Sequence, residues 1–140
     1  MTTVHHVAHA VGSTGSNVPA YRVDIRVGGH QLVGDEPPDA GGDDIGPSPF
    51  GLLSSALAAC TATTLRMYAE RHDWELSTIE VDVRYDVDDD RQGTIARSIT
   101  VPGDLPGDQV DALASIAERT PVTRAIRAGT PITTTMRQGA

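Results

Sequence analysis

Between Gly46 and His72 the chain reads GPSPFGLLSSALAACTATTLRMYAERH, and this stretch limits the possible architecture more than any other. Ser48 followed by Pro49 is a helix start, a capping hydroxyl and then a proline at the first helical position, where no backbone N–H is needed. From there Leu52, Leu53, Ala56, Ala59, Cys60, Thr63 and Met67 recur at helical spacing. That pattern predicts a helix to about His72, roughly 24 residues or ~36 Å long at ~1.5 Å per residue. In a chain of 140 residues such a helix runs through the middle of the domain. Alanine, serine and threonine dominate its sides, which suits close packing against another helix or a second subunit.

The segments on either side read as strands and shorter helices. Tyr21, Val23, Ile25 and Val27 alternate with Arg22, Asp24 and Arg26, and a short apolar run, Gln31 to Val33, follows Gly28 and Gly29, so a hairpin turns at the two glycines. From Gly34 to Gly46 prolines and glycines deny both ladder and helix, leaving a loop long enough to be suspected of a function. Ile79, Val81, Val83, Tyr85 and Val87 alternate with charged residues, and a turn leads into a second strand, Thr94 to Val101. On that second strand the period of two puts Arg97 on the same face as Ile95, Ile99 and Val101. Either the strand lies at an edge and the side chain snorkels to water, or the guanidinium is paired or functional. Val110, Leu113, Ile116 and Ala117 mark an amphipathic helix with Asp104, Asp108 and Asp111 near its positive end. Thr120-Pro121 then starts a short helix to about Ala128, and Pro131 to Met136 is expected as a last strand. The fold class is α+β, and the length predicts one domain over residues 1–140.

Composition removes several classes of function. The formal net charge is −8 and the chain has five aromatic residues in all, so neither a phosphate-neutralising patch nor a base-stacking platform is expected, and nucleic acid is not an expected partner. The most apolar stretch, Leu52 to Cys60, is far shorter than the roughly 20 residues a bilayer requires. The N-terminal residues lack the basic and apolar regions of a signal peptide. A reducing, cytoplasmic setting is therefore expected, with no membrane partner. One cysteine forms no internal disulfide, and the spacings of a zinc ribbon or finger are absent.

Among candidate motifs, Asp86, Asp88 and Asp90 resemble the start of a calcium loop, but Arg91 and Arg97 replace its glycine and glutamate, so the run reads as a solvated hairpin tip. His5, His6 and His9 have no nearby cysteine or acidic partner, and no metal is assigned to them. GPSPFG misses the nucleophile-elbow spacing by one residue. Cys60 remains, with two readings. A cysteine on an apolar helical face is a small hydrophobe that burial keeps inert. As a reagent it needs a positive neighbour from elsewhere in the fold, and with no lysine in the sequence that neighbour must be an arginine.

DEPPDAGGDDIGPSPFGLLSSALAACTATTLRMYAERHDW, RSITVPGDL and SIAERTPVTRAI, in that order and spacing, resemble the OsmC/Ohr family, in particular its OsmC-like branch. The resemblance implies an OsmC-like α+β fold, with antiparallel sheets around a long central helix, assembled as an intertwined homodimer with two active sites at the subunit interface. It also implies reduction of organic hydroperoxides without metal, flavin or other cofactor. That chemistry takes a peroxidatic cysteine, a resolving cysteine, an activating arginine and a glutamate that holds the arginine. Carried over by position, the peroxidatic cysteine falls on Cys60, and the resolving cysteine on Thr120, where there is no second sulfur. The glutamate falls on Phe50 or Gly51, neither of which orients an arginine, and Arg22 and Arg26 are the candidate activating arginines. Phe50, Leu52, Leu53 and Met67 would line the substrate pocket. Two functions stay open: a one-cysteine peroxidase served by an external thiol reductant, and a dimer that has lost redox turnover and binds a small hydrophobic ligand in the interface pocket.

Overall fold

A computed structural model describes residues 2–16 and 18–139. The chain divides into two compact units, with the boundary between Leu53 and Ser54. Among the described residues there are two antiparallel sheets and three α-helices, the α+β class expected from the alternation of periods.

The first unit is built on a three-stranded antiparallel sheet of β1 (Ala10–Ser13), β2 (Val23–Val27) and β3 (His30–Gly34), in that spatial order. Strands β2 and β3 form the hairpin predicted from the sequence, with Val27 opposite His30. Gly28 and Gly29 take φ of 53° and 81°, the left-handed pair that a two-residue hairpin turn with the native twist requires. Strand β1 was not expected. All four of its residues are exposed, so it lacks the in–out alternation by which a strand announces itself, and pairing with β2 alone defines it.

After β3 the loop predicted from Gly34 to Gly46 is ordered by one carboxylate. Asp35 is buried, 2 % exposed, and accepts backbone N–H bonds from Glu36 (2.7 Å), Ile45 (3.1 Å) and Asp43 (3.2 Å). A short 3-10 turn, Pro38–Ala40, occupies the middle. The loop folds so tightly that a Cβ on Gly42 would lie 1.9 Å from the Glu36 carbonyl oxygen, and one on Gly46 2.1 Å from that of Val33. Glycine is required at both for want of space.

Helix α1 spans Pro49–Arg71, close to the predicted start at Pro49 and end near His72. The Ser48 hydroxyl accepts the Gly51 N–H at 3.0 Å, the expected cap. At the other end Asp73 takes a left-handed φ of 56° and the Trp74 N–H returns to the Ala69 carbonyl at 2.8 Å, closing the last turn as a glycine usually would.

In the second unit the buried stripe of α1 is Leu57, Thr61, Leu65 and Ala69. The sequence pattern had picked out a different set, and among its members Leu53 and Met67 are 37 % and 50 % exposed. The helix is apolar or small on every side, so helical spacing alone does not choose the inward face. Leu65 and Ala69 join Leu76, Leu113 and Ala117 in the core, with Tyr68, Trp74, Ile79, Ile99 and Leu105 packed around them. Strands β4 (Glu80–Val87) and β5 (Gly93–Thr100) pair antiparallel, with Val83 opposite Arg97. At their tip the Asp88 carboxylate accepts the Asp90 and Gln92 N–H groups, each at 2.9 Å, a turn-forming role for the acidic run.

Helices α2 (Gly107–Ala117) and α3 (Pro121–Ala128) follow. The last strand predicted at Pro131 to Met136 does not form. Ile132 and Met136 are 88 % and 90 % exposed, and among the described residues no strand pairs with the segment. β-Branched composition favours a strand only where a neighbour offers a ladder.

Burial pushes the Asp35 carboxyl up, but the three backbone N–H donors outweigh it and hold the group below the ordinary carboxylate range. A folded-state value below the unfolded one means that Asp35 stabilises the fold above the unfolded pKa of about 3.9 and that this contribution is lost as pH falls through the lower folded value. Asp35→Asn is therefore expected to melt at a lower temperature than the parent at pH 7, with the gap narrowing below about pH 4. Thermal denaturation of both proteins from pH 7 to pH 3 checks this, and a gap independent of pH would contradict it.

Candidate functional site around Cys60

The thiol of Cys60 is half-buried, not part of the closed core. It lies one position before Thr61, so the turn of the helix places it beside the buried stripe of Leu57, Thr61 and Leu65. Two groups of the second unit face its sulfur. The Thr64 hydroxyl, one turn along α1, is 3.9 Å away, and the Val122 backbone N–H donates to Sγ at 3.5 Å. Val122 is the second residue of α3, whose first-turn N–H groups have no partner within the helix and carry its positive end. The contact brings the N-terminal end of α3 against the sulfur.

The start of α3 is fixed by threonines. Thr120 is fully buried, and its Oγ1 accepts the Thr123 N–H at 3.3 Å, as a helix cap should. The Thr120 and Thr123 hydroxyls are 2.7 Å apart. The position that the sequence matched to a resolving cysteine thus holds a capping hydroxyl.

Arg97 settles the alternative left open by its strand period: it is paired, not snorkelling. Its side chain is 11 % exposed. Nη1 donates to Thr61 Oγ1 (3.0 Å) and to Thr123 Oγ1 (2.9 Å), and Nη2 donates to the Ala117 carbonyl (2.8 Å). Glu118 Oε1 lies 3.9 Å from Nη2, while the other Glu118 oxygen bonds Arg127. The Arg127 hydrogen bond and charge, with a smaller contribution from Arg97, hold the Glu118 carboxyl below its usual range against the opposing effect of burial.

Arg97, Glu118, Thr123 and Arg127 also line a cavity of about 490 Å³, with Leu57, Ile95 and Ile126 as its apolar wall. This is within the common size of small-molecule pockets. The residues expected from sequence to line a substrate pocket are Phe50, Leu52, Leu53 and Met67. Phe50 and Leu52 belong to the first unit, as does Leu53, and Met67 is on the exposed side of α1. Arg22 and Arg26, the candidate activating arginines, are on or beside β2 in the first unit. Arg22 is paired with Asp24 at 3.0 Å, and Arg26 is exposed opposite Val11 and Gln31.

Sequence reasoning missed the contributions of Thr61, Glu118 and Val122. The first has an apolar helical neighbourhood that hides a polar role, the second reads as a solvated surface charge, and the third acts through a backbone N–H that no side-chain pattern reveals. Among the described residues no group of three or more His, Cys, Asp or Glu is placed to hold a metal, and no helix is long and apolar enough to cross a membrane.

A family model described as OsmC-like protein matches residues 41–135. No curated protein matches the sequence. Among solved structures, an osmotic stress induced and detoxification response protein from Psychrobacter arcticus is similar at TM-score 0.73 and 18 % identity, over 89 % of this chain and 91 % of that one. An organic hydroperoxide resistance protein OsmC from Legionella pneumophila is similar at TM-score 0.65 and 20 % identity, over 89 % and 92 %. The organic hydroperoxide resistance protein OhrB of Bacillus subtilis is similar at TM-score 0.60 and 23 % identity, over 89 % and 93 %. At these identities the likeness is one of fold.

Loss of the α3 cap is the accessible perturbation of this site. Thr120→Ala is expected to destabilise the protein by about 0.5–2 kcal/mol, whereas Thr120→Ser keeps the capping oxygen. Urea denaturation of the two variants checks the difference, and equal midpoints would show that the hydroxyl is not the cap.

Proposed function

The chain belongs to the OsmC family, and on that premise we propose that it reduces organic hydroperoxides, with Cys60 as the peroxidatic nucleophile and an external thiol as reductant. The observation that carries this reading is the position of Cys60, outside the buried stripe of α1 and half-accessible, with the Val122 N–H directed at its sulfur. The two solved structures of hydroperoxide resistance proteins with the same fold support it.

In the first step the Cys60 thiolate attacks the terminal oxygen of the hydroperoxide. The S–O bond forms as the O–O bond breaks, and the leaving alkoxide takes a proton and departs as the alcohol, leaving a sulfenic acid. Thr120 supplies no sulfur to resolve it. Two equivalents of external thiol therefore complete the cycle: the first displaces water to give a mixed disulfide, and the second releases Cys60 and a disulfide of the reductant. A reducing cytoplasm provides such thiols and is the compartment we assign. Arg22 and Arg26 are our candidates for the activating cation.

We assign the homodimer on the composition of α1, whose small and apolar residues Ala56, Ala59, Thr63 and Met67 are exposed, a face suited to a second copy of the helix. Phe50, Leu52, Leu53 and Met67 then form the apolar mouth that favours organic over hydrogen peroxide. The positions matched to the resolving cysteine and the site glutamate hold Thr120 and Phe50 or Gly51. They support a second reading, in which the dimer binds a small hydrophobic ligand without turnover.

Consumption of cumene hydroperoxide in the presence of a dithiol separates the two. The parent is expected to turn over, and to gain one oxygen, about 16 mass units, on Cys60 after one equivalent of peroxide without thiol. Cys60→Ser is expected to lose both signals. Equal consumption by parent and Cys60→Ser would refute the peroxidatic role, and a parent that neither turns over nor gains oxygen would leave the ligand-binding reading.

A further inference from the structure

The sulfur of Cys60 and the Val122 N–H that faces it belong to different elements, α1 and α3, separated in sequence by β4, β5 and α2. Something must fix their spacing to within a few tenths of an ångström, because the N–H···S contact of 3.5 Å is weak and directional and cannot itself hold two helices together. The next residue along the chain from each partner is a threonine. Thr61 follows Cys60 and Thr123 follows Val122, and both threonine hydroxyls accept a hydrogen bond from the same nitrogen, Arg97 Nη1, at 3.0 and 2.9 Å.

We propose that Arg97 is a positioning residue for Cys60: its guanidinium clamps Thr61 of α1 to Thr123 of α3 and so sets the distance from the Cys60 sulfur to the Val122 N–H. The other two elements of the clamp have matching roles. Nη2 bonds the Ala117 carbonyl at the end of α2, which fixes the junction from which α3 starts. The contact between the Thr123 and Thr120 hydroxyls, 2.7 Å, passes the constraint to the α3 cap. A planar fork with several donors can reach all three partners at once, and an ammonium group cannot match that geometry. The clamp does not touch the sulfur, so Arg97 acts through the Val122 N–H.

The inference concerns the Cys60 site and deepens the peroxide reading, but thiol alkylation tests it without any peroxide. The probe is the rate of Cys60 alkylation by iodoacetamide in the native protein between pH 5 and 10. Arg97→Met and Thr123→Val each break the clamp, and both are expected to slow alkylation at pH 7 by about three- to tenfold and to move the rise of the pH–rate profile to higher pH, as loss of a donor to the thiolate requires. Thr123→Ser keeps the acceptor oxygen and is expected to follow the parent. Leu113→Ala removes core packing of α2 one turn before Ala117 without touching a hydrogen bond of the clamp, and controls for general loosening: it is expected to lower the melting temperature and leave the profile in place.

If Arg97→Met does not fold, the Thr123 pair decides alone. Profiles of Arg97→Met or Thr123→Val that superimpose on the parent would overturn the proposal, as would an equal displacement in Leu113→Ala or in Thr123→Ser. A displaced profile in a protein whose hydroperoxide consumption does not depend on Cys60 would keep the clamp and refute only the peroxidase reading.

Discussion

A guanidinium that is 11 % exposed on the inner face of a strand is the constraint around which the second unit is arranged. Removing a charge from water costs several kcal/mol unless hydrogen bonds and opposite charge replace the lost hydration. Here the replacement comes from three different helices: the Thr61 hydroxyl on α1, the carbonyl of Ala117 at the end of α2, and the Thr123 hydroxyl on α3. Each acceptor must be aimed, so each helix is held in position by the requirement to satisfy one cation. Among the described residues no buried side-chain nitrogen or oxygen lacks a partner, which is what a polar network inside a small core needs if it is to specify one arrangement.

Polar positions at the helix junctions are buried for the same reason. Thr61, Thr120 and Thr123 are all but inaccessible to water, although threonine is usually exposed. Their hydroxyls complete the shell of Arg97 and the cap of α3. The core of aliphatic and aromatic side chains and the polar clamp therefore share one helix, α1. Its inward stripe turns from Leu57 through Thr61 to Leu65. Cys60, one residue off that stripe, inherits a fixed position without being sealed inside.

Much of this was open to inspection in the residues alone. Ser48-Pro49 and Thr120-Pro121 start their helices where local capping and proline geometry say they should, and Gly28-Gly29 makes its turn because only residues without a Cβ take that backbone freely. The in–out alternation of β4 and β5 flagged Arg97 as anomalous. What the residues did not disclose was long-range. The inward face of α1 could not be chosen while every side of the helix was apolar or small. Strand β1, fully exposed, carried no alternation, and Pro131 to Met136 had strand composition without a neighbouring ladder.

By itself the sequence determined the helix caps and turns, the α+β class and the presence of one thiol on the longest helix, because these depend on steric rules and hydrogen bonds within a few residues. Only the tertiary structure decided that Cys60 lies beside the buried stripe, that the Val122 N–H meets its sulfur, and that Arg97 joins two threonines 62 residues apart in the chain, Thr61 and Thr123. Contacts of that range depend on how helices pack after the local rules have been met, and the donor at the sulfur is a backbone group that every residue except proline possesses.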